Sequence, residues 1–279
     1  MLRWYEANQT GISYGVGTAP VAICFDGASI WVANNWSNDV TQLRASDGAR
    51  TGTYAAGSRP SAVSFDGANI WVVNKDGNSV TKLGASSGTY AVGTGPSAIC
   101  FDGANIWVAN RGSNNVTKLR ASNGGWLANR STGTGPSAIC FDGANIWVAN
   151  YGSNSVTKLR ASDGALVGTY VAGIAPSAIC FDGASIWVAN YGNNNVTRLR
   201  ASDGALMGTY AAGTSPSAIC FDGTNIWVAN AGSNDVTKLR ASDGGWVGTY
   251  GAGTSPSAIC FDGTNIWVAN ALGDNVTKL

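Results

Sequence analysis

Pro136-Ser-Ala-Ile-Cys-Phe-Asp-Gly-Ala-Asn-Ile-Trp-Val-Ala-Asn150 decides the fold, because near copies of it begin at Pro20, Pro60, Pro96, Pro136, Pro176, Pro216 and Pro256. These are all the prolines of the chain, and their spacing is 40 residues everywhere except 36 between Pro60 and Pro96. Self-similarity at this period means one supersecondary unit stacked on copies of itself. Within the unit, Ser-Ala-Ile-Cys-Phe reads as an apolar strand closed by an Asp-Gly turn, and Ile-Trp-Val-Ala-Asn as a second strand. Val-Thr-Lys-Leu-Arg alternates as a third strand and ends at Ala-Ser-Asp-Gly. Leu-Val-Gly-Thr-Tyr-Val-Ala-Gly is the fourth. No helix of ordinary length fits between these turns.

Four antiparallel strands repeated seven times predict an all-β chain, a seven-bladed β-propeller forming one domain over residues 1–279. The seventh repeat stops at Leu279, after its third strand, while Gly11-Ile-Ser-Tyr-Gly-Val-Gly17 aligns with the fourth strand Gly52-Thr-Tyr-Ala-Ala-Gly57. Residues 1–19 therefore complete blade seven and close the ring, which removes two sheet edges. Leu2-Arg3 even resembles the Leu-Arg after a third strand. Blade two lacks four residues before Thr89-Tyr90, so its last strand is short, and blade three departs at Trp126-Leu-Ala-Asn-Arg-Ser131.

Charged residues are 12% of the chain, against about 25% in ordinary globular proteins, and the formal net charge is +1. Nothing here steers the molecule to nucleic acid or an acidic membrane. The start, Met1-Leu-Arg-Trp-Tyr-Glu, has no hydrophobic signal region, and no stretch has the length of an apolar span. Cys24, Cys100, Cys140, Cys180, Cys220 and Cys260 share one repeat position, with Ser64 in blade two. They read as small buried thiols in strands and point weakly to a reducing, cytoplasmic compartment.

The unit resembles the repeat of YVTN and NHL-like propellers, in which a Tyr-Val-Ala/Thr-Asn strand takes the part of Trp-Val-Ala-Asn. The resemblance spans essentially the whole chain and implies the propeller fold more than any activity. Streptogramin lyases have a similar repeat design, and that resemblance would imply a histidine and a magnesium ion. Regucalcin-like lactonases would need a Glu, Asn and Asp metal set. This chain has no His, and Glu6 is its one glutamate. That count argues against an enzyme and for no cofactor.

Two rings of polar residues carry alternative readings. Asp26, Asp66, Asp102, Asp142, Asp182, Asp222 and Asp262 either hold the Asp-Gly hairpins or present carboxylates to a hard cation, with the turn favoured and no metal site assigned. Asn34, Asn74, Asn110, Asn150, Asn190, Asn230 and Asn270 read as left-handed turn residues. The tryptophans from Trp31 to Trp267 are core residues or, alternatively, shelves for sugars.

Where the repeats differ from each other is the more telling signal. Trp36, Arg59, Lys75, Arg111, Tyr151 and Tyr191 occupy variable loop positions on one face, opposite Ala231, Ala271 and Leu272. They form the candidate ligand-binding arc, with an anionic or saccharide ligand, a peptide or a protein as partner. The expectation is a monomeric, non-catalytic binding or interaction scaffold, with recently amplified repeats. Lectin-like carbohydrate binding is the alternative, and a metal-assisted lyase is disfavoured for want of His.

Overall fold

A computed structural model describes residues 12–84 and 86–279. These form seven sheets of four antiparallel strands each, and in six of them the strands follow chain order from inner to outer. Blade four runs Pro136–Phe141, Asn145–Asn150, Ser155–Arg160 and Leu166–Val171. In its first hairpin Pro136 pairs with Asn150 and Phe141 with Ile146, with a bulge between Pro136 and Ala138. The loops after the second and fourth strands therefore share one face of the ring, and the Asp-Gly and Ala-Ser-Asp-Gly turns share the other.

The last blade combines Pro256–Phe261, Ile266–Asn270 and Asn275–Lys278 with Ile12–Gly15 as its outer strand. Tyr14 pairs with Val276 and Gly15 with Asn275, the register in which Tyr170 meets Val156 and Val171 meets Ser155 in blade four. Closure by the early segment is thus as expected. Leu2, Arg3 and Glu6 lie outside the described residues. No described helix is long and apolar enough to cross a membrane.

The core lies between blades. Trp187, Ala189 and Val196 of blade five interlock with Ile219, Ile226, Val228 and Leu239 of blade six. Across the closing seam, Trp267, Ala269 and Val276 meet Ile23, Ile30, Val32 and Leu43 in the same way. Small residues on one sheet face receive the large ones of the next, which is how radial sheets interdigitate without a covering layer. A second set of ties rings the axis. Ser97 Oγ donates to Pro136 O of the next blade at 2.8 Å, and Ser257 Oγ donates to Pro20 O at 2.7 Å across the closure. Blade one has Val21 at this position, and Asn35 Nδ2 supplies the missing bond by donating to Pro60 O at 2.8 Å.

The repeated polar residues resolve into structural parts. Asp142 Oδ1 accepts the backbone N–H of Ala144 and Asn145, while Oδ2 accepts Trp147 Nε1 at 2.7 Å. The same three bonds form at Asp26 and Asp262. Partial desolvation pushes the carboxyls of Asp66, Asp102, Asp142, Asp222 and Asp262 upward, but the indole and backbone N–H donors outweigh it and hold them below the usual range.

Sugar shelves are corrected: the seven repeated tryptophans are buried, with the indole N–H used inside its own blade. The asparagine ring is corrected too. Asn150 is fully buried at a strand end and donates to Ser155 Oγ and Thr157 Oγ1. In the turn that follows, the left-handed residue is instead Asn38, Asn78, Asn114, Asn154, Asn194, Asn234 or Asp274. The six cysteines are unpaired and half-buried. Burial, with a smaller contribution from neighbouring thiols or aspartates, pushes each thiol up and keeps it protonated.

Candidate functional site

The face carrying the variable loops is a rigid frame. In every blade the first residue after the Trp-Val-Ala-Asn strand donates its backbone N–H to the residue before the proline, as Lys75 N does to Arg59 O at 3.0 Å and Tyr151 N to Gly135 O at 3.0 Å. That pre-proline residue is left-handed even where it carries a side chain: φ is 53° at Ala19, 54° at Arg59 and 55° at Ala175. The left-handed Asn two positions after the variable pair locks it further, with Asn38 Oδ1 accepting Arg59 N at 2.8 Å. Side chains on this frame are thus displayed from backbone that is already fixed, a property of binding surfaces built on scaffolds.

Two of the expected residues meet each other. The Arg111 guanidinium lies 4.5 Å from the centroid of the Tyr151 ring, across the seam of blades three and four. Arg59 makes a separate group: its Nε donates to Asn35 Oδ1 at 3.3 Å and sits 3.7 Å from Asp76 Oδ2, with both side chains half exposed. Lys75 is exposed next to Asp76 in sequence. Trp36 stands out at 69% exposure on blade one, Tyr191 is exposed on blade five, and Leu272 is exposed on the apolar side.

Carboxylates on this face were missed in the sequence. Asp76 pairs with Arg59. Asp39 and Asp235 accept the Nδ2 of Asn34 and Asn230, and Asp274 Oδ1 accepts Ala19 N at 2.8 Å. Their signal was available, since each stands where other repeats have Ser, Asn or Gly. Acids thus stand on blades six, seven, one and two, and the cations Arg59, Lys75 and Arg111 on blades two and three, with Arg59 already beside Asp76. Among the described residues, no three His, Cys, Asp or Glu side chains converge as a metal-binding group.

No family model matches the chain, and no curated protein matches it in sequence. Solved structures do. Hydrazine synthase of Kuenenia stuttgartiensis shares 22% identity at a TM-score of 0.81, covering 100% of this chain and 98% of that one. A streptogramin B lyase shares 21% at 0.81, covering 96% of each. Virginiamycin B lyase from Staphylococcus aureus shares 20% at 0.82, covering 96% of this chain and 97% of that one. The expectation of a non-catalytic interaction scaffold is corrected by these neighbours: enzymes are built on this ring over its full length, so the architecture does not point away from catalysis. The chain is a seven-bladed β-propeller whose fold is similar, end to end, to that of the streptogramin and virginiamycin B lyases and of hydrazine synthase.

Proposed function

We propose that the chain is an enzyme-type propeller that holds a small anionic substrate on the variable face, at blades two to four. Arg59, Lys75 and Arg111 are its recognition cations and Tyr151 is an aromatic wall. One observation carries this reading. Arg44, Arg160, Arg200 and Arg240 each pair with an Asp three residues on, whereas Arg111 lies over Tyr151 with no carboxylate within ion-pair distance among the described residues. A guanidinium flattened on a ring keeps its N–H fork free for a carboxylate or phosphate.

The chemistry that suits this set is elimination beside an acidic group. Asp76 takes a proton from carbon, the electron pair of that C–H bond forms a double bond to the neighbouring carbon, and the bond from that carbon to the leaving group breaks with its electrons going to the leaving group, while Arg59 and Lys75 stabilise the negative charge that develops. The neighbours' names support a lyase. A catalytically inactive histidine-to-alanine variant of the S. aureus virginiamycin B lyase has been solved with quinupristin. This chain has no His, so in this reading Asp76 serves as the base. The Trp-Val-Ala-Asn strand supports placing the repeat among the YVTN and NHL-like units.

The test is a panel of small carboxylates and phosphates followed by thermal unfolding. A ligand at about 100 times its Kd adds about 2.7 kcal/mol, roughly 5 °C for a chain of this size. The shift is expected to disappear in Arg111→Ala, and turnover of the hit, followed by mass spectrometry, to fall by about 100-fold or more in Asp76→Asn. An anion shift that survives Arg111→Ala, or turnover indifferent to Asp76→Asn, overturns the reading.

A further inference from the structure

Blade one departs from the repeat at two positions that belong together. Val21 stands where the other six blades have the serine that donates to the next blade's proline carbonyl. Asn35 stands where they have Lys, Arg, Tyr or Ala, and it is the one buried residue at that position. Its Nδ2 donates to Pro60 O at 2.8 Å in the serine's stead, and this bond decides which way the carboxamide faces. Oδ1 is left to accept Arg59 Nε at 3.3 Å.

Arg59 and Asp76 are also exceptional. At these two repeat positions the other blades carry Ala, Gly or Ser at the first and no charge at the second. Both backbones are fixed, with Arg59 N donating to Asn38 Oδ1 at 2.8 Å and Asp76 N to Ser58 O at 3.3 Å. Elsewhere in the ring, neighbouring Arg and Asp side chains close on each other: Arg44, Arg160, Arg200 and Arg240 lie 3.0, 2.9, 3.0 and 2.8 Å from their aspartates. Arg59 does not close. Its Nε stops 3.7 Å from Asp76 Oδ2, too far for a hydrogen bond, and the atom it meets instead is Asn35 Oδ1. Its terminal nitrogens make no hydrogen bond among the described residues.

We infer that Asn35 is a positioning residue for the anion site proposed above, a role that rests on that reading. It holds the guanidinium by the Nε edge and keeps Arg59 from closing on Asp76. The terminal N–H fork then stays available to a carboxylate or phosphate, and the Asp76 oxygens stay available to a proton. Val21 is part of the device. A serine there would take Pro60 O, release the carboxamide and let Oδ1 turn away from Arg59.

Val21→Ser combined with Asn35→Ala separates this role from a structural one, because it restores the serine tie of the other blades while removing the hold on Arg59. The Nε–H resonance of Arg59, assigned by its loss in Arg59→Lys, reads the hold on the full chain with no ligand present. It is expected to move in the double variant and to move again when Asp76→Asn is added, since the guanidinium has closed on the carboxylate. In the wild-type background Asp76→Asn is expected to leave it nearly in place. Affinity for inorganic phosphate and acetate, titrated in parallel, is expected to fall about threefold in the double variant, the scale of a surface ion pair. Adding Asp76→Asn is expected to restore it by more than the same change raises it in wild type. An Arg59 resonance unmoved in the double variant, or an equal effect of Asp76→Asn in both backgrounds, overturns the positioning role. A resonance that moves as expected in a chain that binds neither anion overturns the anion site instead, and leaves the hold of Asn35 on Arg59 standing. Val21→Ser alone serves if the double variant does not fold: it is expected to move the resonance in the same direction, and an unmoved resonance overturns the inference.

Discussion

The repeated aspartate shows how much one side chain can be asked to hold. It organises the hairpin through two backbone N–H groups and also satisfies a buried indole. The first role was legible, because Asp before Gly is local turn chemistry. The second was not, since the five-residue reach from Asp142 to Trp147 exists only once the hairpin is folded. Carboxyls held below their usual range give stability that is complete above the unfolded value of about 4 and lost as pH falls through the lower native value, because the unfolded chain then binds more protons. Five such carboxyls share this sign. The urea midpoint is therefore expected to hold from pH 7 to about 5 and to fall steeply below about 4. A flat midpoint down to pH 2.5 would show that the bonds exert no such hold.

At the scale of the element, strand positions were readable because period-two alternation and turn residues repeat seven times, but the two turn types differ in a way that spacing conceals. Gly143 has φ of 97° and open space where a Cβ would stand, so it is needed for backbone freedom alone. Gly204 has φ of 75°, and a Cβ there would fall 2.0 Å from the Tyr170 ring of the preceding blade. Conformation and packing both require it. Gly143→Ala is expected to cost about 1–2 kcal/mol of unfolding free energy, and Gly204→Ala at least about 1 kcal/mol more because the aromatic ring must move. Equal losses in chemical denaturation would mean that the tyrosine yields freely.

For the whole molecule, closure is the step on which the rest depends. Six blades are continuous in chain order, and the seventh is assembled from both ends of the described chain, with Ile12–Gly15 laid on Asn275–Lys278. Tyr14 packs on Trp267 with centroids 5.6 Å apart, as Tyr170 packs on Trp147 at 5.5 Å, and its ring fills the space above Gly48 of blade one. Removing residues 1–17 would strip the outer strand from the last blade, leave the backbone groups of Asn275–Lys278 as an open edge, and uncover part of the seam holding Trp267 and Val276. The truncated chain is expected to melt well below the parent and to self-associate, measured by scanning calorimetry with light scattering. Tyr14→Ala, which keeps the strand and removes only its aromatic anchor, is expected to lose about 2 kcal/mol, comparable with Tyr170→Ala because the two rings do the same job in their blades. A truncation that melts like the parent would mean that the ring is held by the interlocked blade faces alone, and that pairing the two ends of the chain contributes no stability.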